Sequence, residues 1–140
     1  MLPLEDITHK IIGMAMEIHR EMGPGFVEPV YHNALAVELT LADIPFESKS
    51  KIDVFYKGHL VGKFEADFII IVESRLILEL KAVENIAKSH EAQLVNYLTA
   101  TGIDDGLLIN FGSPSLQFKR KFRQRRSTEM KNLDSTDHLR

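Results

Sequence analysis

The sequence predicts an α/β (α+β) chain, with a central mixed sheet of four to five strands flanked by helices in the order ααβββαββ. Three observations carry this. Two apolar runs, Ala66–Val72 and Leu76–Ala82, frame the polar turn Glu73-Ser74-Arg75, and runs of this kind mark strands buried on both faces. Two segments of helical periodicity precede them, and a third follows. Two further short apolar or alternating stretches then close the chain.

The elements follow in order. Over 5–22, Ile7, Ile11, Met14, Ile18 and Met22 fall close to one helical face, with Asp6 as N-cap and Gly23-Pro24-Gly25 as the stop. A second helix spans 28–42. Glu28, Tyr31, Leu35 and Glu38 form one stripe, and Val30, Ala34, Val37 and Leu41 form another. Pro45 ends it. Phe46–Phe55 reads as a strand, Tyr56-Lys57-Gly58-His59 as a tight hairpin turn, and Leu60–Val72 as the returning strand, with Gly62 marking a bulge or bend. Leu76–Val83 is the third strand. Ser89 is the expected N-cap of a helix over 90–101 that Gly102 ends. Gly106–Phe111 is a fourth strand. Leu116–Phe122 alternates apolar and basic residues, as a strand at the sheet margin does.

Asp67, Glu79 and Lys81 interrupt the apolar strands, and a charge there is costly unless it is paired or holds a metal. All three are odd-numbered. A fold about Ser74 sets residue 67 opposite 81 and 69 opposite 79, so the three charges share one face, with Asp67 and Glu79 as diagonal neighbours. Spacing leaves two readings open. One is a buried Asp–Lys pair that fixes strand register. The other is a site for a divalent cation and a phosphate, since Mg²⁺ takes one or two carboxylates and fills its remaining positions with water and phosphate. Glu28, in the first turn of its helix, is explained by the helix dipole or as a further acid of that patch. His90, Gln93 and Tyr97 form a polar stripe at i, i+3 and i+7, either a solvated edge or a substrate contact. His9 and His19 are read as structural or solvated.

Composition narrows the classes. The chain has 140 residues and no cysteine, so disulfides and thiolate metal sites are excluded. No apolar run is long enough for a membrane helix, and none at the N-terminus reads as a signal peptide. The expected setting is cytoplasmic. Residues 1–112 carry nine Lys and Arg against seventeen Asp and Glu, a balance of −8, and residues 113–140 carry eight against three, a balance of +5. An acidic body argues against strong non-specific nucleic-acid binding, to which the basic tail could contribute.

These residues carry a resemblance. The chain resembles the PD-(D/E)XK, or restriction-endonuclease-like, superfamily, and more narrowly the small GxxExxY family. Gly25-Phe26-Val27-Glu28-Pro29-Val30-Tyr31 matches the naming motif, Asp67 the single Asp, Glu79-Leu80-Lys81 the Glu-x-Lys, and Gln93 with Tyr97 a Gln-x-x-x-Tyr signature. Ala66 stands where a Pro usually precedes the Asp. The resemblance covers about residues 5–122. It implies a single domain over 1–122; the basic, polar composition of 123–140 predicts a disordered tail. It implies a restriction-endonuclease-like core in which Asp67, Glu79 and the carbonyl of Leu80 hold Mg²⁺ or Mn²⁺. Lys81 would act on the attacking water or the charged transition state, Gln93 would hold water or phosphate, and Glu28 would be an outer acid. Tyr97, His90 and Tyr31 are the expected substrate contacts. Lys81 beside two carboxylates should stay protonated without metal, which favours electrostatic stabilisation over general-base action.

The resemblance therefore implies a metal-dependent nuclease on DNA, before RNA, that needs no membrane. A homodimer would help so small a protein reach two strands. Two alternatives stand beside it. One is a non-catalytic module of the same fold, which the acidic body favours. The other is an enzyme on a different phosphorylated or small acidic substrate.

Overall fold

The computed structural model describes residues 3–123; the tail expected to be disordered lies, beyond Arg123, outside them. Eight elements occur in the expected order: α1 (Leu4–Met22), α2 (Glu28–Leu41), β1 (Phe46–Tyr56), β2 (His59–Ile70), β3 (Leu76–Lys81), α3 (Lys88–Thr101), β4 (Asp105–Asn110) and β5 (Gln117–Phe122). The strands form one five-stranded mixed sheet in the order β1-β2-β3-β4-β5. Only β3 and β4 run parallel, with α3 as their crossover, as parallel neighbours require. This is the helix-flanked mixed sheet of the restriction-endonuclease-like fold.

Local chemistry differs from expectation at two helix starts. Pro3, not Asp6, is the N-cap of α1; Asp6 lies in the first turn, where the dipole favours a carboxylate. Helix α3 starts at Lys88 behind Ala87 rather than at Ser89. The acceptor for the Ala87 N–H is the Nδ1 of His90, at 2.9 Å. The β1–β2 turn has Lys57 and Gly58 both at positive φ, 49° and 80°, the backbone a two-residue hairpin loop needs. The bulge in this hairpin falls between Val54 and Phe55 on β1 and leaves Val61, beside Gly62, without a pairing partner. In α2 the buried residues are Tyr31, His32, Leu35 and Leu39, while Val37 and Leu41 of the second expected stripe face solvent.

The pairing of β2 sets the architecture of the site. Strands β1 and β2 pair from Phe46↔Ile70 to Tyr56↔His59. Strands β2 and β3 pair only through Phe68↔Leu78, Ile69↔Ile77 and Ile70↔Leu76. Before Phe68, β2 leaves β3 and continues with β1 as a two-stranded arm, while β3 continues beside β4. The sheet thus forks at Asp67. This register corrects the expected one. Continued past Phe68↔Leu78, it sets residue 67 opposite 79, not 81, because the turn centres on Glu73 rather than Ser74.

Two layers of core cover the sheet. Helices α1 and α2 pack on Phe68, Ile70, Leu76, Leu78, Leu80, Leu107 and Ile109. Helix α3 packs Leu94, Tyr97 and Leu98 on Ile52, Ala66, Ile69, Ile77 and Leu108. The period-two rule breaks once in β2: Phe68 and Ile70 face α1 and α2, yet Ala66, also even-numbered, faces α3. The break is at Asp67. Across from it on β1, Lys49 has φ 52°, a left-handed conformation costly for a residue with a side chain, and the ladder skips it between Ser48↔Phe68 and Ser50↔Ala66.

The far end of β3 is fixed by Asn110, which is fully buried. Its Oδ1 accepts from the N–H groups of Val83 (2.9 Å) and Gly112 (3.0 Å), and its Nδ2 donates to the Val83 carbonyl and to Gln117 Oε1, both at 2.9 Å. All four positions of the amide are used. Gly112 lies so close that a Cβ there would meet Val83 N at 2.4 Å. Asn110→Ala strands two half-buried donors and an acceptor, so urea unfolding should show a loss of about 2 to 3 kcal/mol with an unchanged m-value.

Candidate active site

The fork is held open by two carboxylates that stand in for ladder bonds. The backbone N–H of Asp67 donates to Glu79 Oε1 at 2.9 Å, and the backbone N–H of Leu80 donates to Asp67 Oδ2 at 2.7 Å. Each acid binds the other strand's main chain. The expected picture of three side chains rising from one face is corrected here. Asp67 reaches toward the main chain of β3 rather than only outward, because its own strand turns over at that point.

Each acid keeps its second oxygen. Neither Asp67 Oδ1 nor Glu79 Oε2 accepts a hydrogen bond within the described residues, where no buried side-chain polar atom lacks a partner; both oxygens therefore reach solvent. Glu79 is nonetheless 5 % exposed. Burial, then the Asp67 charge, pushes its carboxyl up to about 8, against the pull of the Asp67 N–H and Lys81.

Other elements bring further groups to the fork. Glu28, the first residue of α2, is half-buried. Burial and the Asp67 charge raise its carboxyl, and Lys81 lowers it. The structure therefore brings Glu28, Asp67, Glu79 and Lys81 together. Tyr97 reaches the same acids from α3: burial raises its hydroxyl, and Glu79 and Asp67 add to the rise. The backbone of Leu80 faces β2, since its N–H binds Asp67, and the carbonyl of a strand residue leaves on the same side as its N–H. Gln93 lies one helical turn before Tyr97, on the border of a groove beside Phe64.

Two expected substrate contacts sit elsewhere. Tyr31 is fully buried and stacks on Phe111 with centroids 4.6 Å apart. Its hydroxyl donates to the Gly23 carbonyl and accepts from the Phe26 N–H at 3.0 Å. It ties down the Gly23–Phe26 loop that leads into Glu28. His90 caps α3 through Nδ1, which leaves only Nε2 for a ligand.

The sequence reading missed two residues. His32 is i+4 from Glu28, so both lie on one face of α2. It stacks on Phe68 at 4.1 Å between centroids, its Nε2 lies 2.8 Å from Ser48 Oγ, and its Nδ1 is 3.9 Å from Asp67 Oδ1. Burial holds its imidazole below the usual range, with the Asp67 charge opposing and Lys49 assisting. The i+4 spacing was the available signal. Lys49 had none, since nothing in Glu47-Ser48-Lys49-Ser50 announces a positive φ.

Among the described residues, no cluster of three or more His, Cys, Asp and Glu side chains could cage a metal. What the fork offers is two carboxylates, each braced through one oxygen, and a carbonyl on the same side. This all-oxygen set fits a hard cation that keeps several waters and takes the rest of its ligands from a phosphate. It does not fit an ion that needs a closed protein cage.

The family model described as the PD-(D/E)XK nuclease superfamily matches residues 5–121. No match was found among the curated proteins. Among solved structures, the crystal structure of SSO0001 superposes with a TM-score of 0.58 at 17 % identity, over 77 % of this chain and 56 % of that one. At this identity the likeness is one of fold, and this chain spans little more than half of that protein. No described helix is long and apolar enough to cross a membrane.

Two measurements follow from the geometry. Because the Glu79 carboxyl lies above its ordinary 4.5, the folded chain keeps a proton that the unfolded chain releases between pH 4.5 and about 8. Stability should fall as pH rises through that window, by at most about 1.4 kcal/mol per pH unit, and Glu79→Gln should flatten the slope in unfolding titrations. Lys49→Gly should raise stability by up to about 1 kcal/mol, because glycine takes the left-handed backbone without the Cβ clash.

Proposed function

Because the chain belongs to the PD-(D/E)XK nuclease superfamily, we propose that the fork hydrolyses phosphodiester bonds of nucleic acid, DNA before RNA, with a divalent cation. The observation that carries this is the pair of crossed carboxylate–backbone bonds at Asp67 and Glu79 with Lys81 beside them. A fold needing only strand register would fill those positions more cheaply with apolar residues. The motif Gly25–Tyr31 supports the finer reading as a GxxExxY protein, with residues 1–122 acting as one catalytic domain.

Superfamily members generally use divalent metals, and the donor set here fits one. Asp67, Glu79 and the Leu80 carbonyl would hold Mg²⁺ or Mn²⁺. When bound, the ion would supply Lewis-acid polarisation of the phosphate and a lowered pKa for water.

The chain's own groups do the rest. Lys81 offsets negative charge that grows on the phosphoryl oxygens as water attacks phosphorus and the P–O bond to the leaving group breaks. Glu28, its carboxyl raised by burial and by Asp67, is the outer acid and holds water at the mouth of the fork. His32 positions Asp67 from the α2 side. Lys49 brings a cation next to Asp67, where the substrate backbone must pass. Gln93 hydrogen-bonds water or a phosphate oxygen. The acidic body keeps non-specific binding weak, and a second copy would present a second fork to the opposite strand.

With Mg²⁺ or Mn²⁺, the purified protein should cleave DNA, and Asp67→Asn, Glu79→Ala and Lys81→Ala should each lower the rate about 10²- to 10³-fold or more. Calorimetry should detect Mn²⁺ binding that Asp67→Asn abolishes. A protein that cleaves neither DNA nor RNA and shows no Asp67-dependent Mn²⁺ binding is instead a binding module on this fold.

A further inference from the structure

A groove of about 630 Å³ runs along the border between the β1–β2 arm and α3, formed by Val54 and Phe64 on one side and Gln93, Asn96, Tyr97 and Ala100 on the other. Its size is that of a small-molecule site, and its walls are mostly apolar. It adjoins the fork, because Tyr97 lines the groove and also belongs to the buried cluster that holds Ala66, the residue before Asp67.

Its lining has three notable properties. Phe64 turns 46 % of its surface to solvent while its ring is held in place: it lies against Tyr97 with centroids 5.7 Å apart and over Gly62, where a Cβ would come within 2.9 Å of it. The Gln93 and Asn96 amides make no hydrogen bond within the described residues, so each has donors and an acceptor free along an apolar wall. Beyond Phe64, Lys51 and Lys63 line an adjoining hollow with Asp53 and Glu65, and neither lysine is within ion-pair distance of a carboxylate among the described residues. Between Ser48 and Ala66 the arm carries Lys49, Lys51, Lys57 and Lys63 against Asp53 and Glu65, a small positive balance on an otherwise acidic body.

A fixed aromatic face, two free amides and nearby cations suit a flat heterocycle with a polar edge and a phosphate attached. We propose that this groove is a nucleobase subsite of the nuclease reading on which it rests. The substrate is then a strand with an unpaired nucleotide beside the scissile phosphate: single-stranded DNA or RNA, or a frayed end. The base stacks on Phe64 and hydrogen-bonds to Asn96, and Gln93 is left for the phosphate or water beside it. A base in a duplex has its edge and both faces occupied, so it must leave the stack to enter. An aromatic platform accepts any base, so the subsite selects strand state rather than sequence.

The test measures binding of the full chain, without added divalent metal, to a labelled single-stranded oligonucleotide and to the matching duplex by fluorescence anisotropy. The single strand should bind more tightly. Phe64→Ala should weaken it about five- to a hundredfold and leave duplex binding nearly unchanged. One abasic nucleotide should cost as much as Phe64→Ala, and the two losses should not add. Circular dichroism checks the folding of Phe64→Ala, and Asn96→Ala, at an exposed position, gives a second variant that should weaken single-strand binding in the same sense.

Equal binding of both substrates, no binding, or unchanged single-strand affinity in Phe64→Ala and Asn96→Ala overturns the subsite. So does a dimer of the parent chain that Phe64→Ala dissociates, since the groove would then hold a second copy. Cleavage with Mn²⁺ is scored separately. Phe64-dependent single-strand binding without cleavage keeps the subsite and removes the hydrolytic reading. Cleavage of single strand and duplex alike, unaffected by Phe64→Ala, keeps hydrolysis and removes the subsite.

Discussion

The site depends on one exchange: where β2 and β3 part, their ladder bonds give way to bonds between each strand's main chain and the other strand's carboxylate. Asp67 N–H to Glu79 and Leu80 N–H to Asp67 satisfy backbone groups that the fork would otherwise leave unpaired. The same two bonds orient both acids. Each acid is thus a structural part of the sheet and a candidate ligand at once. This explains how a nearly buried Glu79 persists: one oxygen has a backbone donor, and the other has solvent.

Everything else at the fork follows from that opening. The period-two rule fails at Asp67, so β2 can serve the α1–α2 core after it and the α3 core before it. Lys49 takes a left-handed backbone across from Asp67 so that β1 can turn over with its partner. Non-glycine residues held in such conformations concentrate at functional sites. Two core layers meet at this seam, and groups from α2 (Glu28, His32) and α3 (Tyr97) converge on it from opposite faces. On the other flank, the Asn110 amide fixes the chain just past Lys81, so the Glu79–Lys81 segment is held at both ends.

Much of this was legible in the sequence. Buried strands show as apolar runs, and their few charges are conspicuous because burial makes them costly; Asp67, Glu79 and Lys81 were visible for that reason. Helices and turns followed from periodicity and from Gly and Pro, and the Lys57-Gly58 turn was fully specified by local chemistry. The register of β2 on β3 was not. A turn centre displaced by one residue moves every pair by two, and alternation is blind to a shift of two. Tyr31 fits a motif but carries no mark that separates a buried hydroxyl from one that contacts substrate. Ser89 was the expected cap, but the helix starts behind Ala87, whose N–H the His90 imidazole accepts. Lys49 was illegible because its conformation is imposed by the partner strand rather than by its neighbours in sequence.

The arm has one more consequence. Strand β1 is the outermost strand and is 11 residues long, and it presents an open row of main-chain donors and acceptors that a strand of another molecule could join. The left-handed kink at Lys49, the fourth residue of the strand, interrupts that row, and Glu47, Lys51 and Asp53 set charges on either side of it. The strained lysine thus also guards against aggregation. Lys49→Gly would relieve the strain and keep the kink, so its gain in thermodynamic stability would leave the margin of the sheet guarded.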